Sequence, residues 1–417
     1  MPYRERVLDH VIPTYLEALG ALVIEGARAT GKTSTARGHA ASWVRLDQSP
    51  ALVELAATSP KTLLAGATPR LIDEWQLAPQ LWNSTRHEVD DRQAKGQFIL
   101  SVSATPSDDA TRHTGMGRFG RLRLRPMSLA ESGASNAEVS LARLAQGEER
   151  VSARAALSYE ELAAEAVRGG WPGLLGMTDR SAALFNATYL DELVRTELPN
   201  ASGVRHEPVR VQRLIASLAR NLATEASMTA LAADVNADDG STSPTTVRTY
   251  LDALQRVFIF EPQLAWSTHL RSRSRLRTAP KVHLVDPSLA CAALRVDAAR
   301  LALDPEYFGF VFESMAVRDL RVYASLDRGE VYHYRDNTGL EIDAIVEYPG
   351  GRWGAVEVKL GESRVHEAEA NLLKLARERV DTARVGAPEF LMVVTGAEYA
   401  RTLPSGVHVV PLAALGA

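Results

Sequence analysis

The chain has 417 residues, of which 46 % are hydrophobic and 24 % charged, with a formal net charge of −4 and a single cysteine, Cys291. This composition excludes a largely disordered chain, a collagen-like chain and a disulfide-stapled scaffold. Because the sequence has no apolar run of about 18 residues and no signal peptide at its start, we expect a cytoplasmic protein without a membrane span. The length predicts about two or three domains.

The clearest motif of the N-terminal third lies at residues 26–33, which read Gly-Ala-Arg-Ala-Thr-Gly-Lys-Thr after the apolar run 21–26. A strand, this spacing and a following helix are typical of a phosphate-binding loop, in which backbone N–H groups cradle phosphates. The lysine reaches the β- and γ-phosphates and the hydroxyl binds Mg²⁺. The residues assigned to ATP are Gly26, Ala27, Arg28, Ala29, Thr30, Gly31, Lys32, Thr33 and Ser34.

A second strand should deliver an acid to this metal. Residues 70–75 read Arg-Leu-Ile-Asp-Glu-Trp. We predict that Asp73 holds Mg²⁺ together with Thr33, and that Glu74 polarises the attacking water.

Further predictions concern the γ-phosphate. A strand is predicted over residues 97–103, and it ends in Ser101 and Ser103, either of which could sense the γ-phosphate or position the water. In the next predicted strand, Arg118 or Arg121 could act as an arginine finger, in cis or across the interface of a homo-oligomer.

The alternation of strands and helices predicts a doubly wound parallel sheet, an α/β P-loop domain over residues 1–130. Residues 131–225 are rich in Ala, Glu and Ser and predict a helical linker region. Residues 226–290 predict a winged-helix-like region, in which a helix, a turn and a capped helix at Ser243 precede a strand over 257–264.

The middle of the chain is basic, since residues 205–281 contain 11 Arg and Lys against 7 Asp and Glu. Arg248 and the run Arg271–Arg277 are candidates to contact the phosphates of DNA. The alternative is that this region packs domains together and touches no nucleic acid.

The C-terminal third predicts a hairpin whose turn is centred on Gly350. In that register Asp343 lies opposite Glu357, and Lys359 shares their face. Two carboxylates and a lysine at one point are typical of a phosphodiesterase site that uses Mg²⁺ or Mn²⁺. An exposed set of cross-strand salt bridges is the alternative. Glu313, on a predicted helix before the hairpin, could supply a further acid.

With these motifs, nearly the full length resembles a prokaryotic family of AAA-type ATP-binding proteins that join a P-loop domain to an uncharacterised C-terminal region. The resemblance is carried by residues 26–33, 71–74, 98–103, 117–119, 281–286, 339–343 and 357–359. The last two groups resemble the PD-(D/E)xK nuclease core, with Asp343, Glu357 and Lys359 in its signature positions and Glu313 matching the acid of its first helix. The resemblance implies an ATPase, a winged-helix segment and a restriction-endonuclease-like α/β domain over residues 300–417.

The leading prediction is therefore an AAA-type ATPase that hydrolyses ATP with Mg²⁺ and acts with nucleic acid. Its predicted catalytic residues are Lys32, Glu74, Ser103 and Arg118. The alternative is a nucleotide-dependent regulator or protein-interaction module whose nuclease-like domain is catalytically inactive.

Overall fold

The computed structural model describes residues 3–105, 114–148, 150–202, 207–236, 242–267 and 278–417, with only the backbone at 201 and 202. The chain divides into two compact units. Unit 1 comprises Met1–Pro126, Thr196–Arg205 and Asp252–Ile259, and unit 2 comprises Met127–Arg195, His206–Leu251 and Phe260–Ala417. In the part of the chain that the structure describes, no helix is both long enough and apolar enough to cross a bilayer.

Unit 1 is built on a five-stranded parallel sheet, which confirms the predicted α/β class of this part of the chain. Its strands are β1 (Ala21–Glu25), β2 (Ser42–Arg45), β3 (Arg70–Asp73), β4 (Phe98–Val102) and β5 (Phe119–Arg123). Its first helices are α1 (Val7–Ala18), α2 (Lys32–Gly38), α3 (Pro50–Thr58), α4 (Pro60–Leu64) and α5 (Leu81–Arg92).

The strand order is β2-β3-β4-β1-β5, so β4 lies between β1 and β3. The first four residues of β1 are completely buried, as expected of a parallel strand that is covered on both faces. Because the carboxyl ends of parallel strands meet at one edge of the sheet, the segments after β1, β3 and β4 come together there.

Unit 2 contains a seven-stranded mixed sheet in the order β7-β12-β13-β11-β10-β9-β8, and β6 pairs separately with β14. These strands are β6 (Val139–Ser140), β7 (Ala153–Arg154), β8 (Glu330–Arg335), β9 (Glu341–Glu347), β10 (Trp353–Lys359), β11 (Phe390–Thr395), β12 (Tyr399–Thr402), β13 (His408–Pro411) and β14 (Leu415–Gly416).

The remaining helices follow in chain order, with α10 and the end of α13 in unit 1 and the others in unit 2. They are α6 (Leu129–Ser132), α7 (Leu141–Leu144), α8 (Tyr159–Arg168), α9 (Asp179–Glu192), α10 (Leu198–Ser202), α11 (Pro208–Arg220), α12 (Met228–Val235), α13 (Pro244–Arg256), α14 (Pro287–Ala293), α15 (Ala298–Ala302), α16 (Pro305–Ala324), α17 (Val365–Lys374) and α18 (Thr382–Val385).

The middle of the chain differs from the sequence-based expectation in two places. Residues 131–225 are not only helical, because the two-residue strands β6 and β7 pair with β14 and β12 near the end of the chain. Such short strands leave no alternating pattern to detect. The helices predicted on either side of the turn are present as α12 and α13, but residues 257–264 form no regular strand. They make isolated bridges, such as Phe260 with Leu284 and Gln263 with Lys281.

Candidate functional site

The loop between β1 and α2 turns tightly against the segment that follows β5. A Cβ atom at Gly26 would lie 2.2 Å from the backbone oxygen of Leu124, so only glycine fits at this approach. Gly31 has φ of 96° and forms the N-cap of α2. The predicted phosphate-binding residues therefore form a loop that leads directly into a helix N-terminus, where backbone N–H groups are available to an anion.

Lys32 is the first residue of α2 and is only 6 % exposed. Its Nζ donates a hydrogen bond of 2.9 Å to the carbonyl oxygen of Ala27, which also accepts a bond from the Thr30 hydroxyl. Burial lowers the pKa of Lys32 to about 8, although the carboxylates of Glu74 and Asp73 oppose this. Lys32 is thus a buried cation next to the two acids of the following strand.

Thr33 and Asp73 are in direct contact, as the metal assignment requires. The Thr33 hydroxyl lies 3.0 Å and 2.9 Å from the two carboxylate oxygens of Asp73. Ser101, in β4, donates to the same carboxylate. Burial raises the pKa of Asp73, and the Glu74 charge adds to this, while Ser101 and Thr33 lower it. Hydroxyl and carboxylate oxygens are ligands that Mg²⁺ takes in proteins.

Glu74 follows β3 with a left-handed backbone at φ 56° and ψ 44°. The Ser103 hydroxyl donates to its Oε1 over 2.8 Å, and the side chain of Gln76 donates to its Oε2. The Glu74 N–H lies 3.2 Å from Ser101 Oγ. The two serines left open by the sequence therefore have different contacts, since Ser101 bonds to the Asp73 carboxylate and Ser103 to that of Glu74.

Arg118 does not lie at the phosphate-binding edge. Its carbonyl oxygen accepts from the N–H of Ala21, the first residue of β1, which places it at the opposite end of that strand. Its guanidinium donates to Asp90 in α5 over 2.9 Å. Arg121 reaches Glu25 instead, at 3.3 Å. Arg118 therefore does not fit the role of an arginine finger in cis, and only its role across a subunit interface remains a prediction. The alternation of residues in β5 predicts the face of the sheet on which an arginine lies, but not the edge of the sheet.

Two other arginines at the phosphate-binding edge were missed by the sequence reasoning. The Nε of Arg45, the last residue of β2, lies 3.5 Å from Asp73 Oδ2, and Arg45 also pairs with Asp47 at 2.8 Å. Arg6 is buried against the loop itself. A parallel sheet with β2 beside β3 was needed to bring Arg45 to this point, and no local motif marks either residue.

In unit 2 the hairpin of β9 and β10 has the predicted register. Trp353 pairs with Glu347 and Val356 with Ala344, and the next step along the strands brings Asp343 to Glu357. Lys359 Nζ lies 3.1 Å from Asp343 Oδ2 and 2.6 Å from Glu357 Oε2. Both acids are buried, so the alternative of an exposed salt-bridge set does not describe these residues.

Glu313 reaches the same cluster through a second lysine, which the sequence reasoning had not placed there. From α16, Glu313 accepts from Lys281 Nζ at 2.6 Å, and that Nζ lies 3.3 Å from Asp343 Oδ1. Lys281 is held by backbone bonds in both directions with Gln263. The Gln263 side chain in turn donates to the backbone oxygen of Asp343 at 2.9 Å. The cluster therefore holds three carboxylates and two ammonium groups.

Burial acts in opposite directions on the acids and bases of this cluster. Burial and the Asp343 charge raise the pKa of Glu313 and of Glu357 toward neutral pH. Burial alone would raise the pKa of Asp343, but Lys281 and Lys359 hold it below its usual range. Burial would lower the pKa of each lysine, and the carboxylates more than reverse this. The two lysines therefore favour the charged form of Asp343, whereas burial favours the neutral forms of Glu313 and Glu357.

A cleft of about 540 Å³ opens at this cluster. Its wall includes Tyr159, Glu306, Phe310, Glu313, Lys359, Ser363 and Arg364. The lining therefore combines two cations, two carboxylates, hydroxyl groups and aromatic rings. In the described ranges, no group of three or more His, Cys, Asp and Glu side chains is arranged to hold a metal ion. The three carboxylates of the cluster contact ammonium groups instead.

Three parts of the chain match known families, and no curated protein matches the chain. Residues 159–300 match a domain of unknown function, DUF8612, and residues 308–415 match another, DUF4143. Among the similar solved structures is the Walker-type ATPase PABY2304 of Pyrococcus abyssi, which has 13 % identity and a TM-score of 0.43, over 70 % of this chain and 96 % of that one. Residues 19–133 match the family model described as an AAA domain, so this N-terminal part of the chain is similar to AAA domains.

Proposed function

We propose that unit 1 binds ATP with Mg²⁺ and hydrolyses it. The observation that carries this proposal is the contact of Thr33 with both carboxylate oxygens of Asp73, beside a buried lysine in a loop of the phosphate-binding pattern. When bound, Mg²⁺ would neutralise charge on the β- and γ-phosphate oxygens. Thr33 and Asp73 are the residues that would hold it.

The protein groups have separate tasks in this proposal. Lys32 exchanges its bond with the Ala27 carbonyl for phosphate oxygens, which is favourable because a charge-assisted bond to an anion is stronger than one to a neutral carbonyl. Glu74 accepts the proton of the attacking water. Ser103 and Gln76 each donate to one of its carboxylate oxygens, and each oxygen retains a further lone pair that can accept from the water.

The proposal is tested by Mg²⁺-dependent ATP hydrolysis of the full chain. Asp73→Asn should abolish the dependence on Mg²⁺ together with most of the turnover, because it removes the negative charge that would hold the metal. Glu54→Gln changes an exposed acid on α3 and is the matched control, expected to behave as wild type. Equal turnover in Asp73→Asn and wild type would contradict the assignment.

A second candidate function is phosphodiester cleavage by the cluster of Asp343, Glu357 and Lys359. It is favoured by the convergence of these side chains beside a cleft. A divalent cation would have to compete with Lys281 and Lys359 for the carboxylates. Lys359 would stabilise negative charge on a phosphate.

The experiment for this second function is cleavage of long duplex and single-stranded DNA in Mn²⁺. Wild type is compared with Asp343→Ala and Lys359→Ala, and Arg384→Ala, at an exposed position on α18, serves as control. Cleavage by wild type and the control alone supports a nuclease. Equal background from all four proteins favours the regulatory or interaction module with an inactive domain.

A further inference from the structure

Arg6 is a buried arginine that lies against the phosphate-binding loop, although it precedes α1 and belongs to no motif. It is 2 % exposed. Its Nη1 donates to the carbonyl oxygen of Thr30 at 2.9 Å, and its Nη2 donates to that of Arg125 at 2.7 Å. The guanidinium therefore joins the loop to the segment that follows β5, the same segment against which Gly26 is packed.

The contact with Thr30 fixes the orientation of one peptide group. In a trans peptide the C=O and the following N–H point in opposite directions. Because the Thr30 carbonyl points toward Arg6, the N–H of Gly31 is directed away from Arg6. Gly31 is the N-cap of α2, where N–H groups meet the phosphates of a nucleotide.

The segment around Arg6 is itself anchored to α2 and the residue after it. Asp9 accepts from the N–H of Arg6 at 2.7 Å and from the Tyr3 hydroxyl at 2.6 Å. Its other oxygen lies 2.8 Å from His39 Nε2, and the Tyr3 hydroxyl lies 2.9 Å from that of Thr35. The backbone of Arg6 is thus held by Asp9, while its side chain binds the two carbonyl acceptors.

We propose that Arg6 is a positioning residue of the nucleotide site, which holds the Thr30–Gly31 peptide so that its N–H faces the phosphates. This inference rests on the proposed ATP site. It requires the planar fork of arginine, because one ammonium group cannot replace two guanidinium nitrogens that reach separate carbonyls.

The test compares Arg6→Lys and Arg6→Met with His10→Ala, a change at an exposed position of α1 that contacts neither the loop nor Asp9. Arg6→Lys keeps the buried charge, yet its KM for ATP should rise about tenfold or more, close to the rise in Arg6→Met, with kcat much less affected. His10→Ala should keep the KM of wild type. A wild-type KM in Arg6→Lys, or an equal rise in His10→Ala, would overturn the inference.

A second measurement does not depend on how the variants fold. In the wild-type chain, the amide hydrogen of Gly31 should exchange more slowly when inorganic tripolyphosphate is added, because that N–H binds the anion. Unchanged exchange at saturating tripolyphosphate would also overturn the inference. If wild type bound neither ATP nor tripolyphosphate, the proposed function itself would fail, so the two failures are distinguishable.

Discussion

The hydroxyl of Thr33, in the first turn of α2, donates to both oxygens of Asp73, 40 residues further along the chain, at 3.0 Å and 2.9 Å. The two residues come together because β1 and β3 end at the same edge of a parallel sheet, with β4 between them. The contact brings a hydroxyl and a carboxylate to one point beside the buried ammonium of Lys32.

Removal of that ammonium should weaken nucleotide binding. In Lys32→Ala we expect ATP affinity to fall about 10- to 100-fold, since a hydrogen bond from a charged group contributes about 1.5 to 3 kcal/mol. Fluorescence titration with an ATP analogue measures the change. Lys61→Ala, at an exposed lysine on α4, is the matched control. Unchanged ATP affinity in Lys32→Ala would show that the loop does not bind the phosphates.

ATP affinity should also depend on pH. Because burial lowers the pKa of Lys32 to about 8, the free protein loses this charge as the pH rises through that value, and the neutral amine binds phosphate weakly. Affinity should therefore be constant at lower pH and fall above pH about 8. In Lys32→Arg the charge persists, so its affinity, though weaker, should not fall over the same range. Parallel pH profiles for both proteins would contradict this reason.

The turn before the loop tolerates no side chain. Gly26→Ala would place a Cβ atom 2.2 Å from the oxygen of Leu124, so the loop or the segment after β5 must shift. We expect loss of ATP binding with a folded unit 2, measured by titration and circular dichroism. Gly38→Ala, where an added Cβ meets nothing within 4 Å, should bind ATP normally. Normal binding in Gly26→Ala would be incompatible with the observed backbone approach.

Lys281, in the C-terminal cluster, should contribute more to the stability of the fold than a lysine on the surface. Lys281→Met would leave Glu313 without its ammonium partner at 2.6 Å, and removing one member of a buried pair is costly, about 3–5 kcal/mol. The melting temperature of Lys281→Met should fall, whereas that of Lys374→Met, on α17, should not. The double variant Lys281→Met with Glu313→Gln should recover part of the loss. If the melting temperature of the double variant were no higher than that of Lys281→Met, Lys281 and Glu313 would not be coupled.

Binding of DNA tests the predicted role of the basic middle region. If arginines there contact phosphates, affinity should fall with salt by about one log unit of slope per contact. Reversal of Arg271, Arg273 and Arg275 to Glu should remove binding, whereas reversal of Arg180, Arg300 and Arg384 should not. The run Arg271–Arg277 lies outside the described residues, so this prediction rests on the sequence. Absence of DNA and RNA binding by wild type at low salt would favour the interaction-module alternative.

The sequence was sufficient for features that depend on local spacing. The loop 26–33 has its glycines, lysine and hydroxyl within eight consecutive residues, and β1 and β4 are short, mainly apolar strands. The pairing of β9 with β10 followed from the position of a single turn at Gly350, because one turn determines the register of every pair in a hairpin.

Features that depend on distant segments could not be predicted in this way. Lys281 reaches Asp343 across 62 positions of sequence, through pairing with Gln263 in a segment that forms no regular strand. Arg6, at the N-cap of α1, likewise reaches Thr30 across 24 positions of sequence. The sequence of β5 likewise shows that its arginines alternate, but it contains nothing that places Arg118 at one edge of the sheet or the other.

The central claim is that Glu74 activates water for ATP hydrolysis in a site formed by Lys32, Thr33 and Asp73. The most direct measurement compares ATP affinity and turnover in Glu74→Gln and wild type. The amide keeps the size of the side chain but accepts no proton, so we predict unchanged affinity and turnover lowered by about 10²- to 10⁴-fold. Wild-type turnover in Glu74→Gln would contradict the account.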